Sequence, residues 1–133
     1  MNEYIDVWKK ALDFSGRARR KEYWMFFLIN FVITLVVGFI PVVNMIYSLC
    51  VIIPSLSVTI RRLHDTNRSG WWLLAPLAAA PLFFMDNNTL LISGAIIMVG
   101  ISIVLFVFMC IDGTLDENKF GVNPKISSTS TIE

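Results

Sequence analysis

YWMFFLINFVITLVVGFIPVVNMIYSLCVIIPSLSVTI, residues 23–60, holds no charged residue over 38 positions. As one α-helix it would extend about 57 Å, at ~1.5 Å per residue. The hydrocarbon core of a bilayer is only about 30 Å thick. The chain must therefore turn back, and Gly38 and Pro41 supply the break. The sequence predicts one span over about 23–40 and a second over about 42–60. Pro54 is expected to kink the second, with Ser55 and Ser57 placed to satisfy freed backbone groups.

Outward from that stretch, the cations fall into three clusters. All 11 Lys and Arg residues of the 133-residue chain lie in them. Lys9, Lys10, Arg17, Arg19, Arg20 and Lys21 precede the stretch, Arg61, Arg62 and Arg68 follow it, and Lys119 and Lys125 come last. If the apolar stretches cross in pairs, all three clusters land on one face, and positive charge collects on the cytoplasmic side. WWLLAPLAAAPLFFM, residues 71–85, is the weak stretch. It would reach roughly 22 Å as an α-helix, and Pro76 and Pro81 interrupt it. A crossing leaves Asp86 alone outside with every cation inside, whereas a re-entrant segment would send Lys119 and Lys125 outside; the charge pattern favours the crossing. The fourth span runs over about 90–111, with Gly113 suited to a helix C-terminus.

The expected fold is an all-α membrane protein. It is a four-transmembrane-helix antiparallel bundle with both termini cytoplasmic, one domain over 1–126 and a disordered tail over 127–133. Residues 1–13 put Tyr4, Ile5, Trp8, Ala11 and Leu12 on one side of a short amphipathic interfacial helix. That helix lies either on the membrane surface or on the protein's own loops. Small residues (Ala75, Ala78, Ala79, Ala80, Ser93, Gly94 and Gly100) permit close approach of the third and fourth spans. The first residues do not read as a signal peptide, because about twenty mixed residues precede an overlong apolar run without a small-residue cleavage site.

The composition is 56% hydrophobic and 16% charged with a formal net charge of +1, which gives no basis for nucleic-acid binding. Cys50 and Cys110 read as buried thiols in apolar runs. No spacing suggests a metal site, no cofactor is implied, and no catalytic residue is assigned. The middle of each span lacks ionisable residues, which counts against a pump; Asn30 is best read as an interhelical hydrogen-bonding group.

Arg61-Arg62-Leu63-His64-Asp65-Thr66-Asn67-Arg68-Ser69-Gly70 is the densest functional cluster. It reads as a polar loop whose arginines suit lipid phosphates, with Ser69 capping the next helix. His64 beside Asp65 has the residue types for acid–base work. Asp112, Asp116, Glu117, Asn118 and Lys119 reach the same face, where Asp112 or Asp116 could pair with Arg61, Arg62 or Arg68.

Three blocks then stand out: FSGRARRKEYW at 14–24, RRLHDTNRSGWW at 61–72 and DGTLDENKFGVNP at 112–124. In this order, with apolar spans between them, they resemble a family of small bacterial inner-membrane proteins, the YhaH/YhaI-like domain of unknown function, family 805. The resemblance covers about 14–124. It implies a multi-pass protein of the bacterial inner membrane and no known reaction. It also gives the blocks a role beyond orientation, as one cytoplasmic cap with Arg61, Arg62, His64, Asp65, Arg68, Asp112 and Asn118 as candidate binding residues. The expected partners are anionic membrane lipids, a membrane protein or a second copy. A small oligomeric transporter or channel is the alternative, and a lipid-headgroup enzyme the third.

Overall fold

The computed structural model describes residues 2–127, all helical or irregular apart from one isolated backbone bridge between Asn118 and Gly121. The expected disorder over 127–133 falls outside the described residues except for Ser127, which ends a short helix. The helices are α1 (Asn2–Lys9), α2 (Arg20–Val37), α3 (Pro41–Asp65), a 3₁₀ helix (Gly70–Phe84), α4 (Asn88–Cys110) and α5 (Pro124–Ser127). The break falls where the sequence put it. Gly38 closes α2, and Pro41 opens α3 at a position where its missing N–H costs nothing.

Two boundaries differ in an informative way. α3 does not stop at residue 60; it continues through Asp65, so Arg61–Asp65 is its last turn and a half rather than a loop. The segment expected as a short α-helix over 71–85 is instead 3₁₀ throughout Gly70–Phe84. Pro76 and Pro81 would break an α ladder at two points five residues apart. Wound at ~2.0 Å per residue, these residues reach about 30 Å, close to the hydrocarbon thickness. Ser69 does cap this helix, accepting from the Trp71 amide at 3.3 Å.

The apolar helices bury little against one another. α3 and α4 are long and apolar enough to cross a membrane. Their outer faces, and that of α2, stay open: Val36 and Ile96 are each 67% exposed. So continuous an apolar surface suits lipid rather than water. Cys50 and Cys110 lie on this exterior, not in a core as expected, because their helix positions face outward. The 3₁₀ helix packs on α4 with Ala79 and Gly94 buried, and a Cβ on Gly94 would sit 3.0 Å from that of Leu82. Gly100, by contrast, faces open space. Asn30 accepts from the Tyr47 hydroxyl and donates to the Phe26 carbonyl at 2.7 Å, joining α2 to α3 as the sequence suggested.

The true core lies at one end. Val7, Ala18, Tyr23, Phe26, Val58, Leu63 and Met109 form it, drawn from α1, the segment after it, the start of α2 and the ends of α3 and α4. Of the two alternatives for α1, the helix packs on the protein itself. Its contact face is Tyr4, Val7 and Trp8, with Val7 fully buried and the Tyr4 ring stacked on Phe26 at 5.6 Å. Burying Val7 is worth about 1.5–3 kcal/mol. The expected face was misjudged because the helix ends at Lys9; Ile5 is exposed and Leu12 lies beyond the helix.

Candidate functional site

The antiparallel order brings the start of α2, the end of α3, the start of the 3₁₀ helix and the end of α4 to one end of the molecule. Every described charged residue except Asp86 belongs to that end. The three sequence blocks meet there and are bonded into one cap.

Asp65, on the last residue of α3, is its hub. Its carboxylate accepts from Arg17 Nε at 3.0 Å and from Arg62. The side chains of Arg17, Arg62 and Asp65 are 1%, 0% and 8% exposed. Arg17 then spends its remaining donors on the C-terminal block. It donates to the carbonyls of Thr114 at 2.6 Å, Asp116 at 3.0 Å and Gly121 at 3.4 Å. Arg62 donates to the Met109 carbonyl at 3.4 Å and to that of Ile111, serving orphan carbonyls at the end of α4. A buried charge is tolerable only when paired and hydrogen-bonded, and each of these three is.

Arg61 pairs with Glu22 at 2.9 Å and lies over Ser57, whose hydroxyl sits between the carbonyls of Lys10 and Asp13. Ser57 thus ties α3 to the end of α1 rather than repairing the Pro54 gap; Thr59 donates back to the Ser55 carbonyl. Arg61 Nη2 is buried with no hydrogen-bond partner among the described residues.

Asn118 holds the C-terminal block to α3, donating to the His64 carbonyl at 3.0 Å, while Asn123 donates to the Leu115 carbonyl at 2.8 Å. The bridge between Asn118 and Gly121 closes a tight turn that needs φ +127° at Gly121, a value suited to glycine. Gly113 does not cap α4, which ends at Cys110. It lies against Asp65 instead: an added Cβ would fall 2.1 Å from Oδ2.

His64 contacts the Gly16 carbonyl through Nδ1 at 3.0 Å, so Nδ1 carries the proton. Its ring stacks on Phe120 at 3.9 Å, and burial holds its pKa below the ordinary value of 6.5. Asp65 is committed to two arginines, and Asp112 to Arg20 at 3.1 Å and Lys125 at 3.4 Å. His64, Asp65 and Asp112 therefore have separate partners rather than forming an acid–base set. The expected pairing of Asp112 with Arg61, Arg62 or Arg68 is replaced by these two cations, because Arg61 and Arg62 point into the core. Arg68 lies over the Phe108 ring at 3.8 Å.

The candidate residues are thus brought together, but Arg61, Arg62, Asp65 and Asn118 face inward as scaffold. Arg17 and Glu22 are equally central; charge alone marks Arg17 as one cation of the first cluster and gives no reason to single out Glu22. The available signal was the pairing of a basic GR with an HD in separate blocks.

The protein-family description "Protein of unknown function (DUF805)" matches residues 11–122. The chain is 40% identical to inner membrane protein YhaI of Escherichia coli strain K12, over 96% of this chain and 99% of that protein. It is 38% identical to inner membrane protein YhaH of the same strain, over 95% and 98%. It is 28% identical to the uncharacterized protein YiiR of that strain, over 88% of each. No solved structure matches the chain. With two helices able to cross a bilayer and these relatives, it is an integral inner-membrane protein.

Proposed function

The chain belongs to the DUF805 family, and from that membership we propose a multi-pass protein of the bacterial inner membrane that binds through a cytoplasmic cap. Residues 1–126 act as one domain. Four segments cross: α2 with the residues up to Ile40, α3 as far as Ile60, the 3₁₀ helix and α4. Both termini are cytoplasmic. The observation that carries this reading is the segregation of charge, with all eleven cations in the interlocked end and Asp86 alone at the other.

The cap's ligand is an anionic lipid or a partner protein. Arg61, Arg62, Asp65 and Asn118 build the surface, His64 and Arg68 flank it, and the exposed cations beside Asp112 present it. Purification from native membranes tests this. A variant with Lys9, Arg20, Lys119 and Lys125 changed to Gln should retain less anionic lipid, or lose a co-purifying protein. Unchanged lipid and protein content in that variant rejects the reading.

A second reading, an oligomeric transporter, is favoured by a cavity of about 320 Å³ between α2 and α3 that Thr34, Tyr47, Ser48 and Ser55 line with hydroxyls. A monomeric particle without flux in liposomes removes it.

A further inference from the structure

We propose that the cavity between the last turns of α3 and the start of the 3₁₀ helix binds an uncharged lipid of the diacylglycerol type, its free hydroxyl donating to His64. The site uses none of the cap's exposed cations; it rests on α3 and the 3₁₀ helix crossing the membrane. The cavity holds about 420 Å³. Leu56, Ile60 and His64 form one wall, four residues apart on one face of α3. That wall runs about 12 Å along the helix, from within the span to the cap. Trp71 and Leu74 line the side formed by the 3₁₀ helix, and Phe14 adds a further apolar surface. Gly70 joins the two helices: an added Cβ would fall 2.9 Å from Ile60 Cγ2. Leu56, Trp71 and Leu74 are exposed, so the cavity opens on the lipid-facing surface.

His64 and Ser69 make the polar end. His64 is only 9% exposed. Its Nδ1 donates to the Gly16 carbonyl and its ring lies flat on Phe120, so Nε2 carries a lone pair, and that atom has no hydrogen-bond partner among the described residues. Ser69 accepts from the Trp71 amide and keeps its own proton to donate. The cavity therefore offers one acceptor and one donor at the cap, and apolar side chains from there into the bilayer. No Asp, Glu, Lys or Arg lines it. Burial lowers the His64 pKa below 6.5, so the ring is neutral at pH 7. A phosphate would enter without a counter-charge, at a large desolvation cost. A diacylglycerol matches the pattern: its hydroxyl donates to Nε2, and the ester carbonyl on the neighbouring carbon accepts from Ser69. Its acyl chains then follow Leu56 and Leu74 into the hydrocarbon.

The test titrates the full chain in dodecyl maltoside micelles with dioleoylglycerol, bound lipid being read by native mass spectrometry. One saturable molecule per chain is expected. The 3-O-methyl ether of dioleoylglycerol, which lacks the donor, should bind about three- to tenfold more weakly. His64→Asn, which keeps a donor for the Gly16 carbonyl but removes Nε2, should produce a loss of the same size. Leu74→Trp fills the mouth from an exposed position and should weaken binding at least about fivefold. Dioleoylphosphatidic acid at roughly tenfold excess should not displace the lipid. Changing Lys9, Arg20, Lys119 and Lys125 together to Gln should alter affinity less than about twofold, because the ligand is uncharged. Equal binding of dioleoylglycerol and its methyl ether overturns recognition by His64, and full binding by Leu74→Trp overturns the cavity as the site. Displacement by phosphatidic acid overturns the uncharged head. A loss in the four-cation variant overturns the cavity while leaving a basic cap that binds lipid. Absence of saturable binding overturns the proposal and leaves the charged cap untouched. Thermal melts confirm that each variant is folded; if His64→Asn is not, the methyl ether and Leu74→Trp decide.

Discussion

Replacing Asp65 with Asn leaves two guanidinium groups, those of Arg17 and Arg62, in a site where their side chains are 1% and 0% exposed. Arg17 and Arg62 donate to different oxygens of the carboxylate, so the amide oxygen could face only one of them, and its NH2 group would turn donors toward the other. Removing one partner of a buried ion pair costs about 3–5 kcal/mol, and here one carboxylate serves two cations. We expect Asp65→Asn to lose at least about 3 kcal/mol. Unfolding in mixed micelles on titration with dodecyl sulfate measures it. The damage should spread to the C-terminal block, because Asp65 aims the Arg17 donors at Thr114, Asp116 and Gly121. Limited proteolysis should therefore cut Asp65→Asn within residues 113–123 well before the unaltered chain. In a double-mutant cycle with Arg17→Met, the coupling should exceed about 1.5 kcal/mol. A loss below about 1 kcal/mol with unchanged proteolysis would refute the view that Asp65 holds the cap together.

Gly113→Ala should cost about 1–3 kcal/mol by overpacking against Asp65, measured by the same titration. Asn30→Leu should cost about 0.6–2 kcal/mol, Tyr47→Phe a similar amount, and the double variant little more than either, since both remove one interhelical bond. His64 has a folded pKa below its unfolded value, so its contribution to stability is complete above pH ~6.5 and is lost as pH falls through the folded pKa. A melting series from pH 7 to pH 5 should show this decline, and His64→Asn should flatten it. Glu3 makes a separate step at lower pH: its carboxyl is pulled down to about 2, chiefly by its hydrogen bond to Lys21.

The gross plan was legible because it depends on composition along the chain. An uncharged stretch too long for one crossing forces a return, and cations confined to three blocks force those blocks together. Asn30 was legible for a similar reason, since a lone amide in an apolar helix needs a partner. The cap's interior was not. Arg17 meets Asp65 across 48 positions of sequence, and Arg62 reaches the end of α4 across 49. Charge counting treats such residues as solvated. Only the fold reveals that Arg61 and Arg62 extend a helix into a core while Arg20 and Lys125 remain outside. The 3₁₀ winding of Gly70–Phe84 was hidden by the same local reading, which took the prolines as kinks in an α-helix.

The most direct test of the account is the side of the membrane on which each end of the molecule lies. With Cys50 and Cys110 replaced by Ser, Asp86→Cys and Glu117→Cys would each be exposed to a membrane-impermeant maleimide in cells with a permeabilised outer membrane. The account predicts labelling of Asp86→Cys from the periplasm, and labelling of Glu117→Cys only after the inner membrane is opened. Labelling of both positions from the same side, or of Glu117→Cys alone from the periplasm, would contradict it.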